Sequence, residues 1–327
     1  MSTVKVVVTG ATGQVSYALL PRIAAGEMFG ADVEIDLRLS DIPQMIDKAK
    51  GTLMELEDGA YPLLARVTAS ADRAETHDRA DWVLLVGSVP RGPGMERGDL
   101  IRKNGPIFVD EGKAIQRYAS SGVRVVVVGN PCNTNCLIAR ANARPIPDDR
   151  WSAMTRLDQN RARSLLAAKA GARVRDVKKL AIWGNHSATL YPDFTNAEVN
   201  GKRADQVVDR SWLEKEFIPQ VQQRGAAVIA ARGASSASSA AQALIDHVRS
   251  LVTSTPKGDC FSAAIVSDGS YGVPKGLVSS FPLHSKGDGA FSVVPNVPLD
   301  EFAKAKIAAT VSELEKERDL VKDLLAV

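Results

Sequence analysis

The stretch Val4-Lys5-Val6-Val7-Val8-Thr9-Gly10-Ala11-Thr12-Gly13-Gln14-Val15-Ser16 decides the fold class. Its opening run is rich in β-branched residues, which crowd a helix and fit a pleated strand. The run stops at Gly10, and Tyr17-Ala18-Leu19-Leu20 resumes as a helix able to pack on a sheet. Strand, glycine turn and helix therefore follow one another. Such a turn lets backbone N–H groups approach a pyrophosphate at the positive end of the helix. The spacing is G-x-x-G-x-x-S rather than G-x-G-x-x-G, so the motif itself leaves open both phosphate binding and a plain tight turn.

The alternation continues. A second strand over 33–39 ends in Ser40-Asp41, where a dinucleotide fold holds the adenosine ribose. An acid there repels a 2′-phosphate, which predicts NAD over NADP; helix capping ahead of Pro43 is compatible with the same residue. An amphipathic helix over 51–61 is followed by strands at 66–69 and 82–87. Next comes Ser88-Val89-Pro90-Arg91-Gly92-Pro93-Gly94-Met95-Glu96-Arg97-Gly98-Asp99, whose prolines and glycines forbid regular structure. Long loops at the carboxyl ends of buried strands bind ligands in open parallel sheets, although Arg91 and Arg97 read equally as solvated charges. A helix over 99–118 and a strand over 123–128 lead to Gly129-Asn130-Pro131-Cys132. Asn130 suits either a ligand or an Asx turn. Alternation across 4–143 indicates a Rossmann-type doubly wound parallel sheet in an α/β protein. Arg144-Pro145-Ile146-Pro147 breaks the pattern, so the expected domains are 1–147 for a dinucleotide and 148–327, an α+β unit, for the substrate.

Composition narrows the partners. The 327 residues exceed one ordinary core, and 41 basic against 38 acidic residues give a net charge of only +3. No Lys/Arg block with interleaved aromatics is present, so nucleic acid is not expected. No apolar run reaches the roughly twenty residues of a membrane span, and the first strand leaves no room for a leader ahead of it. Cys132, Cys136 and Cys260 neither pair evenly nor make a metal quartet, which fits a reducing cytoplasm. Cys132 and Cys136 lie one helical turn apart without further ligands nearby, so packing is the expected role and no metal is called for.

In the second half, Met154-Thr155-Arg156-Leu157-Asp158-Gln159-Asn160-Arg161-Ala162 places a carboxylate and a guanidinium on one helical face. Taken alone this is an ordinary surface ion pair. Trp183-Gly184-Asn185-His186-Ser187, a histidine among small residues after the apolar run 177–182, raises a functional reading. A helix is expected over 212–221 and a long one from 225 to 252, with the small-residue tract 233–241 inside it. Strands are expected at 261–267 and 289–294, and a charged amphipathic helix over 298–325. His77, His247 and His284 read as surface or core residues.

Taken together, Thr9-Gly10-Ala11-Thr12-Gly13-Gln14, Val89-Pro90-Arg91-Gly92-Pro93-Gly94-Met95-Glu96-Arg97, Thr155-Arg156-Leu157-Asp158-Gln159-Asn160-Arg161-Ala162 and Trp183-Gly184-Asn185-His186-Ser187 closely resemble the malate dehydrogenases of the lactate/malate dehydrogenase family. Val128-Gly129-Asn130-Pro131 and Ser270-Tyr271-Gly272-Val273-Pro274 point to the branch that includes cytosolic eukaryotic and many bacterial enzymes. The resemblance implies interconversion of (S)-malate and oxaloacetate with NAD, by a homodimer. It implies that His186 is the acid-base and that Asp158 orients it. Arg161 would hold the carboxylate beside the reacting carbon, Arg91 the distal one, Arg97 would polarise the carbonyl, and Asn130 would orient substrate. Cofactor contacts would come from Gly10, Ala11, Gly13, Gln14, Val15, Ser16, Asp41, Gly87, Asn104, Glu111, Val128, Gly129 and Asn130. Three positions depart from the family pattern: Ser16 in place of Ala or Gly, Glu111 in place of a glutamine, and Ser238 in place of a methionine. A lactate-type dehydrogenase, with a neutral residue at the position of Arg91, and a non-catalytic dinucleotide-binding relative are the competing readings.

Overall fold

The computed structural model describes residues 2–90 and 94–325. They form two compact units, one of Met1–Ala153, Ala237–Val248 and Glu317–Val327, the other of Met154–Ser236 and Arg249–Lys316.

The first unit alternates strand and helix: β1 (Ser2–Thr9), α1 (Gln14–Ala24), β2 (Val33–Ser40), α2 (Ile46–Asp58), β3 (Leu64–Ser70), α3 (Arg73–His77), β4 (Trp82–Leu85), α4 (Arg97–Tyr118), β5 (Arg124–Val127), α5 (Cys132–Ala141) and β6 (Trp151–Ala153). The strands are parallel in the order β6-β5-β4-β1-β2-β3. Successive residues Val6, Val7 and Val8, and likewise Val125, Val126 and Val127, are fully buried, because both faces of the sheet are covered. The strand order reverses between β1 and β4, and the crevice at their carboxyl ends is where doubly wound sheets bind ligands.

The second unit begins with α6 (Arg156–Lys169). It continues through the short strands β7 (Val177–Lys178), β8 (Ala181–Trp183), β9 (Tyr191–Asp193), β10 (Glu198–Val199) and β11 (Lys202–Arg203). Two single turns, α7 (Ala204–Val207) and α8 (Arg210–Trp212), precede α9 (Ile218–Arg232). Helix α10 (Ser238–Val252) falls mostly among the first unit's residues, and β12 (Phe261–Val266), β13 (Val278–Ser285) and β14 (Phe291–Val293) make an antiparallel meander. Helix α11 (Glu301–Leu320) follows.

Three expectations are corrected. The long helix over 225–252 is two helices: Gly233, at φ 73°, donates its N–H to Ile229 O at 2.8 Å and ends α9 in a left-handed cap. The apolar run before His186 is two strands, interrupted at Lys179 with φ 56°. Strand β13 was not anticipated, because Val278-Ser279-Ser280-Phe281-Pro282-Leu283-His284-Ser285 lacks β-branched alternation; its serines at 279 and 280 are nevertheless buried.

Candidate active site

Three strand-end glycines build the floor of a cradle in the first unit. Gly10 sits at φ 61°, and a Cβ there would lie 2.5 Å from Gly87 Cα. A Cβ on Gly87 would lie 2.9 Å from Gly10 N, and one on Gly129 would lie 2.9 Å from Gly87 O. Glycine at all three is what allows the carboxyl ends of β1, β4 and β5 to close up and present backbone rather than side chains. Val128 and Gly129 both donate their N–H groups to Leu85 O, at 2.9 and 3.0 Å. Gly13 caps α1 with its N–H bonded to Gly10 O at 3.0 Å, and no acidic residue stands in the first turn. The exposed Gln14 and half-buried Val15 stand at this positive helix end, which fits a pyrophosphate. Ala11 and Ser16 are buried, and Ser16 is part of the packing under α1.

Asp41 stands beside this turn. Its Oδ2 accepts from the Thr12 N–H at 2.9 Å and the Thr12 hydroxyl at 2.8 Å, while Oδ1 accepts from Ile42 N–H at 2.9 Å. The acid at the end of β2 is thereby held against the glycine turn. Two other expected cofactor contacts, Asn104 and Glu111, have protein partners. Asn104 is fully buried; it accepts from Val89 N–H at 2.8 Å and donates to Val89 O at 3.2 Å and Asn130 O at 3.0 Å. It ties the segment after β4 to the segment after β5, leaving the side chain of Asn130 at an exposed position. Glu111 is buried with Arg73 Nε at 2.7 Å and His77 Nε2 at 3.2 Å. Burial pushes its carboxyl up, but the hydrogen bond and charge of His77, then Arg73, outweigh this and hold it below the ordinary range. This pairing fastens α3 to α4.

In the second unit, α6 and the turn after β8 bring the expected acid-base pair together. His186 Nδ1 lies 2.5 Å from Asp158 Oδ2, although 28 residues separate them. Asp158 is 1% exposed, whereas the His186 side chain retains 20%. With a carboxylate at Nδ1, that nitrogen carries a proton and Nε2 is the one that exchanges. Arg161, one helical turn along, approaches the other carboxylate oxygen only to 3.5 Å and donates to Ser236 Oγ at 3.0 Å. The i,i+3 pair is therefore not a surface ion pair; Asp158 belongs first to His186. Burial lowers the Arg161 guanidinium, the Asp158 charge opposes this, and Arg224 lowers it further, but a guanidinium stays charged across any working pH. A Cβ on Gly225 would sit 3.8 Å from Arg161 Nη1, so α9 passes this side chain at ordinary contact distance.

Arg97 opens α4 behind a capping box of Glu96 and Asp99, and its Nε donates to the buried carboxylate of Glu317 at 2.5 Å. Arg91 lies outside the described residues. Among the described residues no cluster of three or more His, Cys, Asp or Glu could hold a metal. All three cysteines are buried thiols outside any disulfide, with burial pushing the Cys260 thiol up to about 12. His77 and His247 are fully buried, and His284 is exposed. Sequence reasoning missed Thr310, Glu313 and Glu317, read only as part of a charged terminal helix. Thr310 and Glu313 hold the His186 turn; Glu317 also accepts from the Thr134 hydroxyl. Only helical spacing could have hinted at their inward face.

Residues 4–150 match the family model for the lactate/malate dehydrogenase NAD binding domain, and residues 155–325 match the lactate/malate dehydrogenase alpha/beta C-terminal domain. A malate dehydrogenase of Magnetococcus marinus is 55% identical over 323 residues, covering 98% of each chain. The crystal structure of a malate dehydrogenase from Naegleria fowleri superposes with a TM-score of 0.96 at 42% identity, over 99% of each chain. That of a Trichomonas vaginalis lactate dehydrogenase with NADH and oxamate gives 0.94 at 34% identity, also over 99% of each. Two adjoining family matches, and identities this high over nearly the full length, place the chain in the lactate/malate dehydrogenase family of oxidoreductases, with NAD as its cofactor.

Proposed function

We propose that this chain interconverts (S)-malate and oxaloacetate with NAD. The observation that carries the reading is the 2.5 Å contact between Asp158 Oδ2 and His186 Nδ1, with Arg161 on the same helix face. Bound NAD supplies the hydride acceptor, and NADH the donor in reverse. In malate oxidation His186 Nε2 takes the hydroxyl proton, and Asp158 stabilises the imidazolium that results. In the reverse direction the imidazolium returns that proton to the developing alkoxide. Arg161 holds the carboxylate beside the reacting carbon with two parallel hydrogen bonds. Arg91 takes the distal carboxylate, Arg97 polarises the carbonyl oxygen, and Asn130 orients the substrate. Gly10, Ala11, Gly13, Gln14, Val15, Gly87, Val128, Gly129 and Asn130 form the cofactor cradle, with Asp41 on the adenosine ribose. Ser16 supports the cradle from beneath.

Family membership alone leaves the substrate open, since relatives of both names lie within it. A second cation for a second carboxylate is the feature that favours a dicarboxylate, and Arg91 supplies it. We propose further that the protein works as a homodimer in the cytoplasm. The exposed Tyr17 of α1 and Met54 of α2, 53% and 60% accessible, support an association face, and three cysteines outside any disulfide suit a reducing compartment. Among the described residues no helix is long and apolar enough to cross a membrane.

His186→Ala tests the reaction. Oxaloacetate-dependent NADH oxidation should fall by roughly 10²-fold or more, the contribution of a positioned acid-base group. A near-normal kcat in that variant would refute the assignment. Equal efficiency with NADPH and NADH would remove Asp41 from the ribose.

A further inference from the structure

The turn that carries His186 is gripped by one carboxylate on the last helix. Gly184 leaves β8 at φ 89°, exchanging backbone hydrogen bonds with Ser280 of β13 at 3.1 and 2.8 Å. A Cβ on Gly184 would fall 1.9 Å from Thr310 Cγ2, so α11 lies directly against the turn. Asn185 N–H donates to Thr310 Oγ1 at 2.9 Å. One oxygen of Glu313, Oε2, then accepts from Asn185 Nδ2 at 2.9 Å, from Thr189 Oγ1 at 2.6 Å and from the Ser187 hydroxyl. The donors are the residues just before, just after and three after His186. The imidazole is turned toward Asp158 instead, so the histidine is held by its ring through one carboxylate and by its backbone neighbours through another.

From this geometry we infer that Glu313 is a positioning residue for the acid-base step, fixing the His186 turn so that the imidazole meets the reacting oxygen. The inference rests on the dehydrogenase reading above. Ser187 and Thr189 are hydroxyls that a neutral acceptor would hold weakly, and Asn185 spends its amide on the same oxygen; a carboxylate gathers all three because hydrogen bonds to a charged acceptor are shorter and stronger. Without it the turn keeps its Gly184–Ser280 bonds but loses the restraint on both flanks of His186. Catalytic groups displaced by a fraction of an ångström lose rate without losing substrate, because Arg161 binds from α6 and not from this turn.

The test compares wild type with Glu313→Ala, Glu313→Gln, His186→Ala and the double variant Glu313→Ala/His186→Ala, by kcat and KM for oxaloacetate with NADH. Glu313→Ala should lower kcat about 10- to 100-fold and move KM within about threefold. Glu313→Gln should recover part of that loss, since an amide oxygen accepts two of the three bonds. In the His186→Ala background Glu313→Ala should cost nothing further, because its effect passes through the histidine. Wild-type kcat in Glu313→Ala, or a loss that multiplies in full with His186→Ala, overturns the inference while leaving the dehydrogenase reading intact. Should Glu313→Ala fail to fold, Glu313→Gln alone and combined with His186→Ala carries the same test, and full multiplication of the two losses overturns it. Wild-type protein that shows no oxaloacetate-dependent NADH oxidation removes both readings together.

Discussion

Replacing Asp158 with asparagine keeps the side chain's shape and one acceptor but removes the charge that faces His186. The carboxylate is 1% exposed and its Oδ2 lies 2.5 Å from Nδ1. With charge centres about 4 Å apart and an effective dielectric near 20, that charge stabilises imidazolium by about 4 kcal/mol. The retained amide acceptor recovers about 1 kcal/mol, so about 3 kcal/mol is lost. Imidazolium character develops as the proton moves, so kcat should fall by ~10²-fold in Asp158→Asn. The assay is steady-state NADH oxidation at saturating oxaloacetate, with NADH affinity followed separately by fluorescence. NADH affinity should be unchanged, because the cradle of Gly10, Gly87 and Gly129 includes nothing from α6. A folded variant whose kcat stays within about threefold of wild type would refute the electrostatic role.

Other outcomes follow from the same geometry. Gly10→Ala pushes a methyl to 2.5 Å from Gly87 Cα at a φ of 61°, so NADH affinity should weaken about tenfold or more; an unchanged Kd in a fluorescence titration would contradict the cradle. Arg91→Gln should cost about 2–5 kcal/mol in kcat/KM for oxaloacetate and improve pyruvate relative to it, and an unchanged preference would take Arg91 out of its role. Glu111 is held below its ordinary value of 4.5, so its charged form stabilises the fold above that pH and the benefit fades as pH falls through the lowered folded value. Glu111→Gln should therefore lose about 1–3 kcal/mol in urea unfolding at neutral pH, discounted toward the low end because Arg73 is half exposed. The gap to wild type should narrow in acid, and a gap independent of pH would assign the loss to packing.

What could be read from the chain and what could not divide along sequence separation. The valine run into Gly10 and the turn into α1 are local; each is written within a few neighbours. Asp158 and His186 are 28 residues apart, and no periodicity joins them; they were paired by resemblance of whole motifs, and the structure brings them into contact. Gly233 looked like one more small residue in a helical tract, because a left-handed cap and a tolerated helix glycine share the same letter. Strand β13 hid behind serines and Pro282 because its place in the sheet depends on β12 and β14. Glu313 lies 126 residues beyond Ser187, so its hold on the His186 turn leaves no local mark. At Glu111 and Asn104 chain position suggests a ligand, and the protein partners Arg73, Val89 and Asn130 that the structure gives their side chains leave no local mark in the sequence.

The central claim is that a hydride-transfer site with one histidine and a set of arginines is matched to a four-carbon dicarboxylate. It is tested most directly by measuring kcat/KM of the wild-type protein for oxaloacetate and for pyruvate with NADH. Oxaloacetate should be preferred by about 10²-fold or more, since pyruvate leaves a cation without its carboxylate. A preference for pyruvate, or no oxaloacetate-dependent oxidation of NADH, would contradict it.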